Sequence, residues 1–270
     1  MIAVAAAKAE VITLADGRTL CFARYGAAGG KPVFYLHGAG LSRIDGENYD
    51  EAARAAGVQL IATDRPGCGG SSPDPARTFS SYANDLRQLA DRLDIGRFAV
   101  AGMSNGGAYA MAAAAALPDR VSAAIPINSS TPVRDPAARK VTPLGVRLAY
   151  TLMKFKWAQR ASRRAVERIV AAADTDDRIR RSTREALRQP ESGYLAQEIL
   201  LASADWGFDH TAIPQPVEIF TGDRDGGYRY SPIWAQQLPA GRVHVFSGGH
   251  GDYTAPDVIA RIVAVMAAAP

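Results

Sequence analysis

From Phe98 to Pro118 the chain runs 21 residues without a charged side chain, and the run is cut in the middle by Gly102-Met103-Ser104-Asn105-Gly106-Gly107. No other feature narrows the fold so far. An apolar run of this length suits a membrane span, but a lipid-exposed backbone cannot turn sharply at its centre. The stretch therefore reads as a buried strand, a tight turn and a buried helix. A strand that is apolar at every position needs cover on both faces, and that calls for a sheet with helices packed on each side.

The rest of the chain repeats the same rhythm. Glu10 to Leu14 and Thr19 to Tyr25 flank Asp16-Gly17, a hairpin signal. Pro32 introduces the continuous apolar run Val33 to His37. Helical sequence follows at Asn48 to Ala56, then strand at Val58 to Thr63, and Phe79 to Leu93 carries Tyr82, Leu86, Leu89 and Leu93 at helical spacing. Arg97 to Ala101 is a strand, Ala108 to Leu117 a helix and Val121 to Ile127 a strand. Late in the chain Val217 to Thr221 and Val243 to Phe246 read as strands, with helices at Pro232 to Leu238 and Pro256 to Ala268. The prediction is an α/β fold with a mostly parallel sheet of about eight strands. Between its two blocks, from 131 to 211, the pattern is helical throughout, with breaks near Ala173-Asp174 and Gln189-Pro190. This gives a core of 1–130 and 212–270 with an all-helical insertion.

Composition excludes several function classes. Apolar types make up 47% and charged types 21%, ordinary for a globular chain. Two cysteines, Cys21 and Cys68, build neither a disulfide scaffold nor a four-cysteine zinc site, so a reduced, cytoplasmic setting is expected and no metal. Met1 to Ala7 is apolar but lacks the basic flank and length of an export signal. Charge is uneven. Arg134 to Arg188 holds 15 basic and 6 acidic residues, net +9, which leaves the rest of the chain at −5 within an overall +4. A solvated helical surface accounts for this most simply. Nucleic acid is not expected, since no stacking motif or DNA-binding module accompanies the charge, and no membrane partner is expected either. An anionic small-molecule substrate or carrier group is the other reading.

Gly102-Met103-Ser104-Asn105-Gly106 fits G-x-S-x-G, and its strand–turn–helix setting is what makes it informative. A hydroxyl is a weak nucleophile until a base takes its proton, so a histidine is required. Of the four, His244 lies inside a strand, facing the core or an edge. His210 ends the insertion as a surface or hinge residue, and His37 closes a strand. His250 sits in Ser247-Gly248-Gly249-His250-Gly251, a loop past the last strand that can carry its ring over the sheet's C-terminal edge. His250 is the expected base. Its orienting acid is expected in Thr221-Gly222-Asp223-Arg224-Asp225, with Asp225 preferred because Asp223 falls in the turn.

The order Ser, Asp, His, together with two further motifs, resembles the α/β-hydrolase fold superfamily in its esterase-like branch. His37-Gly38-Ala39-Gly40 is similar to the superfamily's oxyanion loop, and Asp64-Arg65-Pro66-Gly67-Cys68-Gly69-Gly70-Ser71 to its D-x-x-G-x-G-x-S loop. The resemblance covers residues 10–130 and 212–270 and places the insertion where the superfamily carries a cap. It implies a cofactor-independent serine hydrolase. The catalytic residues would be Ser104, Asp225 and His250, with an oxyanion hole from the backbone N–H groups of Ala39 and Asn105. The bond cleaved would be an ester, thioester or lactone. Phe155, Trp157, Tyr194 and Trp206 are the insertion's candidate pocket aromatics. His37, Asp64 and Arg65 are expected to brace loops. Ser at 104 where dehalogenases and epoxide hydrolases carry Asp argues against both reactions, and Asn105 replaces a residue that is often apolar. The same triad also serves C–C bond hydrolysis, lyase chemistry or perhydrolysis, and the scaffold also occurs as a ligand-binding receptor. Oligomeric state is not legible.

Overall fold

A computed structural model of the protein describes residues 8–142, 144–172 and 176–270. Strand β1 (Glu10–Thr13) turns into β2 (Thr19–Gly26), and β3 (Lys31–Leu36) follows. A 3-10 turn (Arg43–Tyr49) leads into α1 (Asp50–Ala55), then β4 (Val58–Thr63), α2 (Phe79–Arg92), β5 (Phe98–Met103), α3 (Asn105–Ala116) and β6 (Val121–Ile127). The next helices are α4 (Pro136–Val141), α5 (Leu144–Leu152), α6 (Lys156–Ala171), α7 (Asp177–Ala186) and α8 (Tyr194–Ser203). The chain finishes with β7 (Val217–Gly222), α9 (Ser231–Gln237), β8 (Gly241–Phe246) and α10 (Pro256–Ala268). The eight strands lie in one sheet in the order β1-β2-β4-β3-β5-β6-β7-β8. The first two pairings are antiparallel and the rest parallel. Fold class and strand number are those expected.

Alternation along the strands feeds two cores. Phe34, Leu36 and Ile61 face α2, α3 and α9, where Leu86, Leu89, Ala110 and Trp234 close the layer. Val33, Tyr35, Leu60 and Ala62 face the other way, onto Ala53 of α1 and Ile262 of α10. The chain moves outward from β3 to β4 through α1 on one face, then crosses back through α2 on the opposite face to β5. That reversal makes a topological switch point between β3 and β5, where parallel sheets collect ligands at their C-terminal ends.

Two boundaries differ from expectation for local reasons. The predicted helix from Asn48 begins earlier, as a 3-10 turn whose first N–H groups are met by Ser42. Helix α3 begins at Asn105 rather than Ala108, taking in Gly106 and Gly107, because close approach to the sheet outweighs glycine's low helix propensity. Between β6 and β7 the described residues form helices and no strand, with a break at Gln189-Pro190; the one near Ala173-Asp174 lies outside the described residues, as does the Met1 to Ala7 start. Among the described residues no helix is long and apolar enough to cross a membrane.

Candidate active site

Ser104 lies between β5 and α3 with φ 53° and ψ −121°, a conformation that L-residues rarely adopt. The strain is held by tight packing. A Cβ at Gly102 would strike the Gly106 carbonyl, and one at Gly106 would strike the Leu36 carbonyl, so neither position admits a side chain. The Ser104 N–H is fixed by Ile127 O at 2.8 Å. The hydroxyl is thereby lifted above the sheet's C-terminal edge.

Two loops bring partners to it. His250 Nε2 lies 3.1 Å from Ser104 Oγ, and His250 Nδ1 lies 2.6 Å from Asp225 Oδ2. The His250 side chain is 55% exposed and Asp225 only 4%, so the imidazole meets solvent while the carboxylate is covered. Burial pushes the Asp225 carboxyl up. Its bond to His250 and the N–H groups of Gly227 and Gly226 outweigh that, so it stays below the usual aspartate value and ionised. Asp223 points elsewhere: its Oδ1 accepts Gly248 N–H at 2.9 Å and shapes the histidine loop.

Asn128, at the end of β6, ties these elements together and was not singled out from sequence. Its Oδ1 accepts the Gly222 N–H at 2.9 Å, and its Nδ2 donates to the carbonyls of Gly249 and His250 at 3.2 and 3.0 Å. It does so at φ 41°, the left-handed conformation that Asn tolerates better than most residues. A second anchor lies deeper. The buried Asp45 carboxylate accepts from Tyr35 OH at 2.5 Å and Tyr253 OH at 2.8 Å, and Tyr253 follows His250 by three positions. Burial raises the Asp45 carboxyl above its ordinary value.

The loop after β3 borders the same site. A Cβ at Gly38 would sit 3.5 Å from Ser104 Cβ. Asn105 N–H belongs to the first turn of α3, where no intrahelical acceptor exists, and among the described residues neither it nor Ala39 N–H is taken by another acceptor. Arg65 holds this loop by donating to the carbonyls of His37 and Gly38. His37 is fully buried with Nδ1 2.8 Å from Gly38 O. Burial, with Arg65 nearby, holds its imidazole well below the usual range and neutral.

The Asn105 side chain turns away from Ser104 into a dry network. Its Nδ2 donates to Glu198 Oε2 at 2.6 Å, and Tyr109 OH donates to Glu198 Oε1 at 2.9 Å. Arg65 and Arg77 each lie 3.0 Å from the same carboxylate, and all three ionic side chains are at most 1% exposed. Burial would raise the Glu198 carboxyl, but the two guanidiniums outweigh it and hold the group below its ordinary value. Glu198 was missed from sequence. A signal was present, since it is the lone charge between Glu191 and Asp205, and a lone acid in an apolar helix is normally paired.

The candidate aromatics do not gather at Ser104. The pocket there, about 310 Å³, is lined by Asn128, Ser129, Thr131, Thr142, Gly227 and the Ser104–His250–Asp225 set. Trp206 is core, packed edge-on to Phe79 and Trp234. Tyr194 is buried with its hydroxyl 3.1 Å from Arg65. Phe155 and Trp157 stack on each other at the surface, 45% and 61% exposed. Helical periodicity marks an apolar face but not which neighbour covers it. His244 pairs with Glu218 at 2.7 Å on the sheet edge. His210 is more enclosed than a surface residue, because Trp206 and Trp234 flank its ring.

His37, Asp64 and Cys68 bring ligand atoms within 4.8 Å of one another. They fit a metal poorly. Asp64 already accepts from Arg43 N–H and its guanidinium and from Gly70 N–H, and the Arg43 and Arg65 cations stand beside the cluster.

The chain is 32% identical over 124 residues, 45% of each protein, to a non-heme chloroperoxidase from Streptomyces lividans. Over 109 residues, 38% of each, it is 35% identical to a 2-hydroxy-6-oxononadienedioate/2-hydroxy-6-oxononatrienedioate hydrolase from Cupriavidus pinatubonensis. These matches span less than half the length of the curated relatives. An esterase from Exiguobacterium antarcticum superposes with a TM-score of 0.72 at 20% identity, over 96% of this chain and 97% of that one, a likeness of fold. The family model for the alpha/beta hydrolase fold matches residues 31–253, and the chain belongs to that family of hydrolases.

Proposed function

We propose that the protein is a serine hydrolase of carboxylic esters, thioesters or lactones, working through an acyl-enzyme on Ser104. The continuous hydrogen-bonded line from Ser104 Oγ through His250 to the covered Asp225 is the observation that carries this reading. Ser104 attacks the acyl carbon while His250 Nε2 takes the hydroxyl proton. Asp225, ionised and joined to Nδ1, fixes the tautomer and stabilises the imidazolium. The oxyanion settles against the open N–H groups of Ala39 and Asn105, assisted by the N-terminus of α3. His250 then returns its proton to the leaving alcohol or thiol, and water activated by the same ring releases the acid. Helices α4–α8, within 131–211, serve as a cap over the sheet edge. The reaction as written uses three side chains, two backbone N–H groups and water.

The name of the Cupriavidus relative favours a second reading, in which the same serine and histidine cleave a C–C bond next to a carbonyl. A fluorophosphonate probe followed by a substrate panel separates the two. Labelling of Ser104 with turnover of p-nitrophenyl esters supports ester hydrolysis. Labelling without ester turnover, but with cleavage of an oxo-dienoate, supports the second reading. No labelling in folded protein refutes both.

A further inference from the structure

The cations between β6 and β7 differ in what surrounds them. In α6 and α7, Arg163 pairs with Glu167 and Arg181 with Glu47 and Asp177, and Arg178 donates to the Asn48 amide oxygen. Arg188 beyond α7 pairs with Glu185. Arg134, Arg139, Arg147 and Lys154 make no ion pair with a described residue, and these four converge on one open groove of about 500 Å³. Its other walls are Val133, Leu144, Leu148 and Leu200 with the hydroxyl-bearing Thr151 and Ser203, and Leu144 is 75% and Leu148 56% exposed. Among the described residues no acidic side chain lines it.

Like charges brought together cost free energy unless something matches them, and exposed leucines cost more beside them. A single ligand that relieves both is an apolar chain ending in an anion. The groove also borders the Ser104 pocket. Thr131 lines the pocket and Val133 the groove, and two residues of chain span at most about 7 Å. Thr142 and Leu144 repeat that arrangement on the next segment.

We infer that this groove receives the anionic far end of the substrate, an acyl chain whose carbonyl sits at Ser104 and whose other terminus bears an oxyanion. The inference rests on the serine-hydrolase reading. Arg134, Arg139, Arg147 and Lys154 hold the anion, and Leu144, Leu148 and Leu200 cover the chain. Arginine offers paired N–H donors matched to a carboxylate or phosphate.

The test compares the mono-p-nitrophenyl ester of nonanedioic acid with p-nitrophenyl nonanoate, which ends in a methyl group. The wild type should prefer the anionic ester in kcat/KM, and that preference should shrink as salt rises, since exposed charges are screened. In Arg139→Gln/Arg147→Gln the preference should fall about tenfold, mostly through KM. Equal preference in wild type and variant would overturn the groove while leaving the hydrolase intact, as would binding to phosphatidylglycerol vesicles without any ester preference. Turnover of neither ester would count against the hydrolase. Calorimetric binding of nonanedioic acid monomethyl ester to Ser104→Ala would then decide the groove alone: loss of affinity on adding the two glutamines supports it, and unchanged affinity refutes it.

Discussion

Ser104 and Asn105 are consecutive, yet they meet opposite environments. Ser104 looks into a pocket open to solvent, against a histidine more than half exposed. Asn105 looks into a network of one glutamate and two arginines from which water is excluded. The elbow geometry produces the split: a residue at φ 53° followed at once by helix sends successive side chains in divergent directions. Proton traffic and ligand entry need the wet side. On the proposed mechanism the dry side would stiffen the amide that faces the reacting oxygen. One turn of backbone thus separates a chemical function from a mechanical one.

Removing the wet side is the most severe way to break this contrast. Ser104→Ala should keep the fold and lower ester turnover by at least roughly 10³-fold, with His250→Ala about as severe. Wild-type turnover in folded Ser104→Ala would end the mechanism. Next comes the acid. Asp225→Asn should cost roughly 10²-fold or more with shape preserved, because the imidazolium loses its counter-charge. Asp223→Asn should cost far less, since that side chain serves the Gly248 N–H. A reversed ranking in steady-state assays would relocate the acid.

The dry side is tested by stability rather than rate. Glu198→Gln leaves two buried guanidiniums without a carboxylate and should destabilise by about 3–5 kcal/mol in denaturant titration. Its pH dependence has a fixed sign. Because the folded-state value is depressed, the stabilisation is full above the ordinary glutamate value and is lost as pH falls through the lowered one. The variant should lack that acid-limb slope, and an unchanged slope would show that the carboxylate does not carry it. The smallest effect belongs to the sheet edge. His244→Ala removes a partly exposed pair with Glu218 and should cost under about 1 kcal/mol, with turnover intact.

The sheet and the Ser104–Asp225–His250 line were legible because each motif sits at a strand end, where local sequence dictates the turn. The partners of Asn105 were not, since Glu198 lies 93 positions away in a helix whose periodicity does not name its neighbour. The anchor between Asp45 and Tyr253 spans 208 positions and has no local signature. The aromatics were misleading for the same reason. Trp206 and Tyr194 are as apolar in pattern as any pocket wall, and only tertiary packing assigns one to the core and the other to a guanidinium. The basic excess was visible as a number, but which of its cations find a partner depends on contacts across the fold.

The clamp on Glu198 also fastens α8 to α3. Lifting α8 from α3 would break the Glu198 contacts to Asn105, Tyr109, Arg65 and Arg77 together. That helix is a hinge post rather than a door. Under the proposed function, arrival and departure would fall to the side of the pocket lined by Thr131 and Thr142. If the proposed reaction runs there, substrate and both products would share that side, and the leaving group would have to clear it before the next substrate arrives.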